Sequence, residues 1–220
     1  MTALLSMLIV GAGFGGIGTA IHRRRAGDDN FLLIEQEGGV GGTWWANRYP
    51  GAACDIPSHL YSFSFAPHAH WTRKYPAQPE IEAYLNACVQ RFGLGPRLRL
   101  HTRLTHLQWD EAKRLWHARV LDAAGHEHEL QTRAVTLATG PLSRPATPPL
   151  PGLTQFRGPV IHTARWPDGF DAGGRRIGVI GTGASAIQLV PQLAPRAGGL
   201  TVFQRSAPWV LPRRDAPIGA

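Results

Sequence analysis

The hydrophobic positions of this chain fall into short runs punctuated by glycine- and proline-rich turns. Met7 to Val10 is an unbroken apolar run ending at Gly11, which predicts a short buried strand. Gly11 to Gly16 reads as a tight turn, Ile17 to Arg25 as a helix, and Phe31 to Glu35 as a second strand. Strand, helix and strand in that order form a β-α-β unit and favour a parallel sheet. Gly38 to Pro67 is rich in glycine, proline and aromatic residues, which predicts an ordered loop region. From Pro79 to Phe92, the residues Ile81, Tyr84, Leu85, Cys88, Val89 and Phe92 share one helical face. Leu98 to Leu130 alternates as a small antiparallel meander does, and Ala134 to Ala138 reads as another buried strand. Five prolines between Pro141 and Gly152 mark a stiff connection. A second β-α-β unit follows: strand Arg176 to Ile180, turn Gly181 to Ala186, helix Ala184 to Leu193, strand Leu200 to Gln204. A proline-rich tail begins after Ser206. The expected fold class is α/β, with two Rossmann-like dinucleotide-binding units and a small antiparallel meander. The expected division is a first nucleotide domain over residues 1–140, a linker over 141–174 and a second nucleotide domain over 175–220.

Composition narrows the classes of function. The 220 residues suit one large or two small domains, and 43% apolar content supports a packed core. The apolar run Ala3 to Val10 is far shorter than a membrane span and carries no basic leader, so a soluble, cytoplasmic protein without a membrane partner is expected. Cys54 and Cys88 have no metal-ligand spacing and no disulfide framework, which fits a reducing compartment and predicts no metal site. The net charge of +8 is spread without a compact Lys/Arg run or an aromatic ladder, so no nucleic-acid partner is expected. A deficit of acidic sequence that normally balances this half is a further reading of the same charge. No Ser-His-Asp, zinc or paired-carboxylate arrangement is present.

The two glycine turns carry the chemistry, and they differ in sign. In the first, Gly11 permits the tight turn, Gly13 lets a pyrophosphate approach the backbone, and Gly16 lets helix and strand pack closely. The helix N-terminus offers free N–H groups to that phosphate. Glu35 stands 24 residues after Gly11, where a carboxylate accepts ribose hydroxyls and repels a 2′-phosphate. Its plainer reading is a surface acid at a strand end. The second turn has Gly181, Thr182 and Gly183, with Ser185 next to Ala186, an allowed replacement at the third glycine position. Again 24 residues on stands Arg205, whose guanidinium can grip a 2′-phosphate bidentately, with Ser206 as a hydroxyl donor. Its plainer reading is a solvated arginine. The first site therefore suits FAD, and the second suits NADPH over NADH.

The residues between the sites narrow the class. Phe156, Gly158, His162, Trp166 and Pro167 complete the pattern F-x-G-x-x-x-H-x-x-x-W-P. Gly41-Gly42-Thr43-Trp44, Tyr49-Pro50-Gly51, Cys54-Asp55 and Ala138-Thr139-Gly140 are also intact. From Met7 to Arg214 the chain resembles the N-terminal portion of Baeyer–Villiger flavin monooxygenases. Relatives that hydroxylate nitrogen or oxidise sulfur usually end the pattern differently from Trp166-Pro167.

The resemblance implies FAD- and NADPH-dependent insertion of one oxygen atom from O2 beside a ketone carbonyl, giving an ester or lactone. It implies that Thr43, Trp44, Trp45 and Ala46 contact FAD, that Asp55 and Tyr61 lie beside the flavin, and that Leu104 belongs to the strand whose backbone meets the adenine. Thr182 to Gln188 and Arg205-Ser206 match the NADPH segment, while Ala53 and Cys54 lie near the nicotinamide. His162 is the fingerprint histidine of the linker, coupling the two domains without touching substrate; on residue chemistry alone it is a structural hydrogen-bonder. Asp55 is expected to hold and tune an arginine that lies, in relatives, beyond Ala220; on residue chemistry alone it caps a turn. The C-terminal half of the usual fold is expected to be missing. The chain alone is therefore expected not to complete a catalytic cycle, and either to need a complementing C-terminal half or to be a non-catalytic nucleotide-binding remnant.

Overall fold

The computed structural model describes residues 4–219. Ala3, at the head of the first apolar run, and Ala220 lie outside the described residues. The first unit opens with β1 (Leu4–Val10), α1 (Phe14–Arg25) and β2 (Phe31–Ile34). The two strands pair in parallel, Leu8 opposite Leu32 and Val10 opposite Ile34. Successive residues of a strand point to opposite faces. Ile9 and Leu33 are buried on one face with Ile17, Ala20 and Ile21 of α1, whereas Leu8, Leu32 and Ile34 join Ala118, Val120 and Leu130 in a separate core cluster. The helix starts at Phe14 rather than at Ile17, because Gly15 and Gly16 lie inside its first turn and serve close packing rather than chain reversal. The glycine- and aromatic-rich region contains one helical turn, α2 (Thr43–Ala46), and α3 (Gln78–Arg91) follows it. Ile81, Tyr84, Leu85 and Cys88 form the buried stripe of α3.

A six-stranded sheet is completed by β3 (Leu98–Arg99), β4 (Arg103–Asp110), β5 (Leu115–Leu121) and β6 (Glu127–Leu137), in the order β3-β2-β1-β6-β5-β4. The expected end of the meander at Leu130 and the expected separate strand from Ala134 are one continuous strand. Its first part pairs antiparallel with β5, and its later part pairs in parallel with β1. Gln131 and Thr132 pair on both sides, and Thr132 is fully buried. The break in hydrophobic pattern at Ala134 thus marks a change of neighbour. The strand is not buried on both faces either, since Leu137 is 61% exposed.

The second unit contains β7 (Arg176–Ile180), α4 (Ala184–Leu193) and β8 (Gly199–Phe203), with the two strands parallel and in register from Arg176 opposite Gly199 to Ile180 opposite Phe203. Its core gathers Tyr49, Ala52, Ala172, Leu189 and Leu193, flanked by Trp166, Phe170, Ile177 and Leu200. The compact units are the residues up to Trp45 with Ile81–Ser143, and Ala46–Glu80 with Arg144 onward. The break at Ser143 falls in the proline-rich stretch. Residues 46–80, which the expected division assigns to the first domain, share the second unit's core because Tyr49 and Ala52 pack with Leu189 and Leu193 of α4. The tail is tied down within this unit as well. Lys74 N–H donates to the Ala216 carbonyl and Ile218 N–H to the Thr72 carbonyl, both at 2.8–2.9 Å. Among the described residues no helix is long and apolar enough to cross a membrane.

Candidate dinucleotide sites

Steric exclusion defines the first turn. Gly11 has φ +103°, a conformation that L side chains rarely adopt, and a Cβ there would stand 2.5 Å from the Ala138 carbonyl oxygen. A Cβ on Gly16 would stand 1.7 Å from the Gly11 carbonyl oxygen. Gly13 caps α1 in extended geometry (φ −84°, ψ −166°) with no side-chain cap and no acid in the first turn. The N–H groups at that helix end are therefore open to an anion. A diphosphate fits this cradle of bare backbone.

Glu35 is 7% exposed and fixed at both oxygens. Ala12 N–H donates to Oε2 at 2.7 Å and Glu37 N–H donates to Oε1 at 2.9 Å. Each carboxylate oxygen retains a lone pair for a further donor, as a ribose diol requires. Glu35 is thus a buried, oriented acceptor rather than a surface acid.

The loop from Gly38 to Trp45 backs the turn. Gly41 N–H donates to the Ala12 carbonyl at 2.9 Å, and a Cβ on Gly42 would meet Gly13 Cα at 3.1 Å. The Trp45 ring covers Gly39, where a Cβ would lie 2.1 Å from it. Trp44 is buried and Thr43 exposed. These positions join Gly11, Gly13, Gly16 and Glu35 in one place. Leu104 sits instead on β4, paired with Val120 and packed against the Leu8 cluster.

The second turn reproduces the backbone of the first. Gly181 has φ +104°, and its N–H donates to the Phe203 carbonyl at 2.9 Å, as Gly11 N–H does to Ile34 at 2.8 Å. Gly183 is an extended cap (φ −71°, ψ −177°) with no side-chain cap on α4. A Cβ on Gly181 or Gly183 would meet nothing within 4 Å. Thr182 Oγ1 donates to the Ser206 carbonyl at 3.3 Å, which ties the turn to the segment bearing Arg205. Ser185 and Ala186 occupy the first turn of α4. Arg205 and Ser206 are exposed; Gln204 holds the place one past the strand end that Glu35 holds in the first unit, and Arg205 is the next residue.

The same unit holds the Tyr49–Asp55 loop. Gln188 of α4 bonds it at three points: Tyr49 O–H donates to Oε1 at 2.8 Å, Ala53 N–H to Oε1 at 3.3 Å, and Nε2 to the Ala53 carbonyl at 2.8 Å. This tie was not singled out from sequence; its signal is a glutamine within the apolar stretch Ala186 to Val190. Asp55 is exposed, and the Ile56 N–H donates to Cys54 Sγ at 3.4 Å. Burial, aided by the charge of Asp55, pushes the Cys54 thiol above its ordinary range, and Tyr61 contributes a hydrogen bond in the opposite sense. Burial likewise raises the Cys88 thiol. Both cysteines are free and buried, and neither has the thiolate character of a redox dithiol. His162 Nδ1 accepts from Ala164 N–H at 3.1 Å and caps the helical turn Thr163–Arg165, while Trp166 meets Phe170 edge-on at 5.5 Å. The Phe156 ring lies over Gly158, where a Cβ would stand 2.7 Å from it. No group of three or more His, Cys, Asp or Glu residues could hold a metal ion among the described residues.

The pyridine nucleotide-disulphide oxidoreductase family matches residues 5–219, and the chain belongs to that family. Over the part it spans, the chain is similar in sequence and fold to Baeyer–Villiger monooxygenases. Baeyer–Villiger monooxygenases of Pseudomonas aeruginosa and Streptomyces coelicolor are each 47% identical over 210 residues, 96% of this chain and 39% and 40% of theirs. An oxidized steroid monooxygenase bound to NADP superposes with a TM-score of 0.90 at 44% identity, covering 99% of this chain and 42% of that one. Cyclohexanone monooxygenase from Rhodococcus sp. Phi1 bound to NADP+ gives 0.91 at 38% identity, covering 100% and 41%. The chain thus spans about two fifths of the length of these relatives.

Proposed function

We propose that this chain is the nucleotide-binding portion of an FAD- and NADPH-dependent Baeyer–Villiger monooxygenase, which inserts one oxygen atom from O2 beside the carbonyl of a small-molecule ketone to give an ester or lactone. One observation carries the reading: two glycine turns with the same first-glycine backbone are each followed 24 residues on by a charge of opposite sign, Glu35 and Arg205. Gly11, Gly13, Gly16 and the α1 N-terminus would hold the FAD diphosphate, with Glu35 on its ribose and Thr43, Trp44, Trp45 and the Leu104 strand completing that site. Gly181, Thr182, Gly183, Ser185 and Ala186 would hold the NADPH diphosphate, with Arg205 and Ser206 on the 2′-phosphate. Bound together, the two cofactors supply the hydride and the oxygen activation, and the protein supplies placement and charge.

The remaining residues act by position. Asp55, exposed at the end of its loop, is available to pair with a cation and hold it where negative charge develops in the reaction. His162 fixes the linker through its cap on Ala164, a bond that requires an unprotonated Nδ1. The unit formed by the residues up to Trp45 with Ile81–Ser143 serves FAD, and the unit formed by Ala46–Glu80 with Arg144 onward serves NADPH. A complementing C-terminal half would cover Leu137, Ile180 and Phe203, which are each more than half exposed. The working compartment is the cytoplasm. Reconstituting the purified chain with FAD, separating free flavin and measuring NADPH oxidation tests this. Retention of one FAD per chain is expected, with ketone oxygenation only when the complementing half is added. A chain that binds neither nucleotide contradicts the reading.

A further inference from the structure

The amide of Gln188 behaves as a neighbouring strand would toward Ala53. It accepts from the Ala53 N–H and donates to the Ala53 carbonyl, closing a two-bond ring with a single residue. Because a peptide N–H must donate and a carbonyl must accept, the direction of the amide is settled by its partners. Tyr49 O–H fills the second lone pair of Oε1. The opposite edge of the same loop is held by the Ala53–Ala77 bridge, by Cys54 N–H to the Pro76 carbonyl and by Gln78 N–H to the Ala52 carbonyl, both at 2.9 Å. Gly51 (φ +82°) admits no side chain, since a Cβ would lie 2.7 Å from the Gln188 carbonyl oxygen. The loop is therefore clamped between α4 and residues 76–78, and Asp55 is the first exposed acid beyond the clamp.

We infer that Gln188 is a positioning residue: it fixes the Ala53–Asp55 loop on the helix that begins at the second glycine turn, so that the Asp55 carboxylate keeps a set place relative to the nicotinamide dinucleotide. Its oxygen is fully used by protein donors, which sets it apart from the ligands of that turn. This rests on the NADPH assignment of the second site.

The test compares Gln188→Met, Gln188→Glu and Tyr49→Phe. The first measurement is trypsin cleavage after Arg48 in the nucleotide-free chain, which reports opening of the loop. Gln188→Met removes all three bonds, and cleavage should accelerate about tenfold or more. Gln188→Glu keeps the acceptor but loses the donor to Ala53, and Tyr49→Phe removes one bond, so both should fall between. The second measurement is nucleotide binding by Tyr49→Phe: NADPH affinity should change by less than about threefold, while reduction of bound FAD by NADPH slows severalfold. Should Gln188→Met fail to fold, Tyr49→Phe carries the comparison. Unchanged cleavage after Arg48 in Gln188→Met, or a tenfold loss of NADPH affinity in Tyr49→Phe without faster cleavage, overturns the inference. A parent chain that does not bind NADPH overturns the functional assignment instead, and leaves the cleavage series to judge the clamp by itself.

Discussion

The two glycine turns share a backbone and differ in almost everything around it. Gly11 and Gly181 adopt φ +103° and +104°, both helices start from an uncapped extended glycine, and both first glycines bond the end of the next strand. Around the first turn the chain is packed shut: β2 is buried at every position and the Gly41-Gly42 segment lies against Gly13. Around the second, only Leu189 and Leu193 of α4 are buried, and β8 is exposed at four of five positions. The turn itself is thus a local property of glycine spacing, whereas its enclosure comes from other elements. The need for glycine at Gly16 is local as well, since the atom a Cβ would strike is the Gly11 carbonyl oxygen of the turn itself.

The contrast can be broken most severely at Gly16. Gly16→Ala forces a methyl group into the Gly11 carbonyl, and the cost should exceed about 4 kcal/mol or abolish folding of the first unit, as read by urea denaturation. Glu35→Ala should come next. It leaves the buried Ala12 N–H without its acceptor, and should cost about 2–3 kcal/mol in the same measurement as well as weakening FAD retention. Asp215→Asn probes the looser unit. Burial opposes ionisation of Asp215, but the Arg73 side chain, the Tyr75 N–H and the charges of Arg73 and Arg213 outweigh it and hold its pKa below the ordinary value. A carboxyl with a lowered folded pKa stabilises fully above its unfolded pKa near 3.8, and the contribution is lost as pH falls through the folded value. The substitution should cost about 1 kcal/mol at neutral pH, discounted for the partly exposed Arg73, and almost nothing in strong acid. Thermal melts across pH, with Trp209 fluorescence reporting on the tail, check this. The smallest effect is expected from Ala186→Gly, about 0.5–1 kcal/mol from helix propensity alone. A loss there as large as at Gly16 would show that the second turn is as tightly built as the first.

Local pattern made much of this legible. The apolar runs, the glycine spacing and the prolines of 141–152 located both β-α-β units, and α4 spans the residues expected of it. What escaped the pattern depends on pairing between distant residues. The continuity of β6 is decided by β1 and β5, the allegiance of residues 46–80 by the fit of Gly51 on α4, and the anchoring of the tail by Thr72 and Lys74. At the sites, Glu35 was legible from its offset, but its two backbone donors were not, because Ala12 and Glu37 contribute only main-chain N–H groups. Gln188 was hidden for the same reason, since two of its three bonds go to the backbone of Ala53.

The central claim is that the charge just past the second strand of each unit, Glu35 in one and Arg205 in the other, decides which ribose each turn accepts. The direct measurement is the affinity of the Arg205→Ala chain for NADPH and for NADH, side by side with the parent. Loss of a charge-assisted grip on the 2′-phosphate should weaken NADPH about tenfold to a hundredfold and leave NADH unchanged. An unaltered ratio between the two nucleotides would contradict the account.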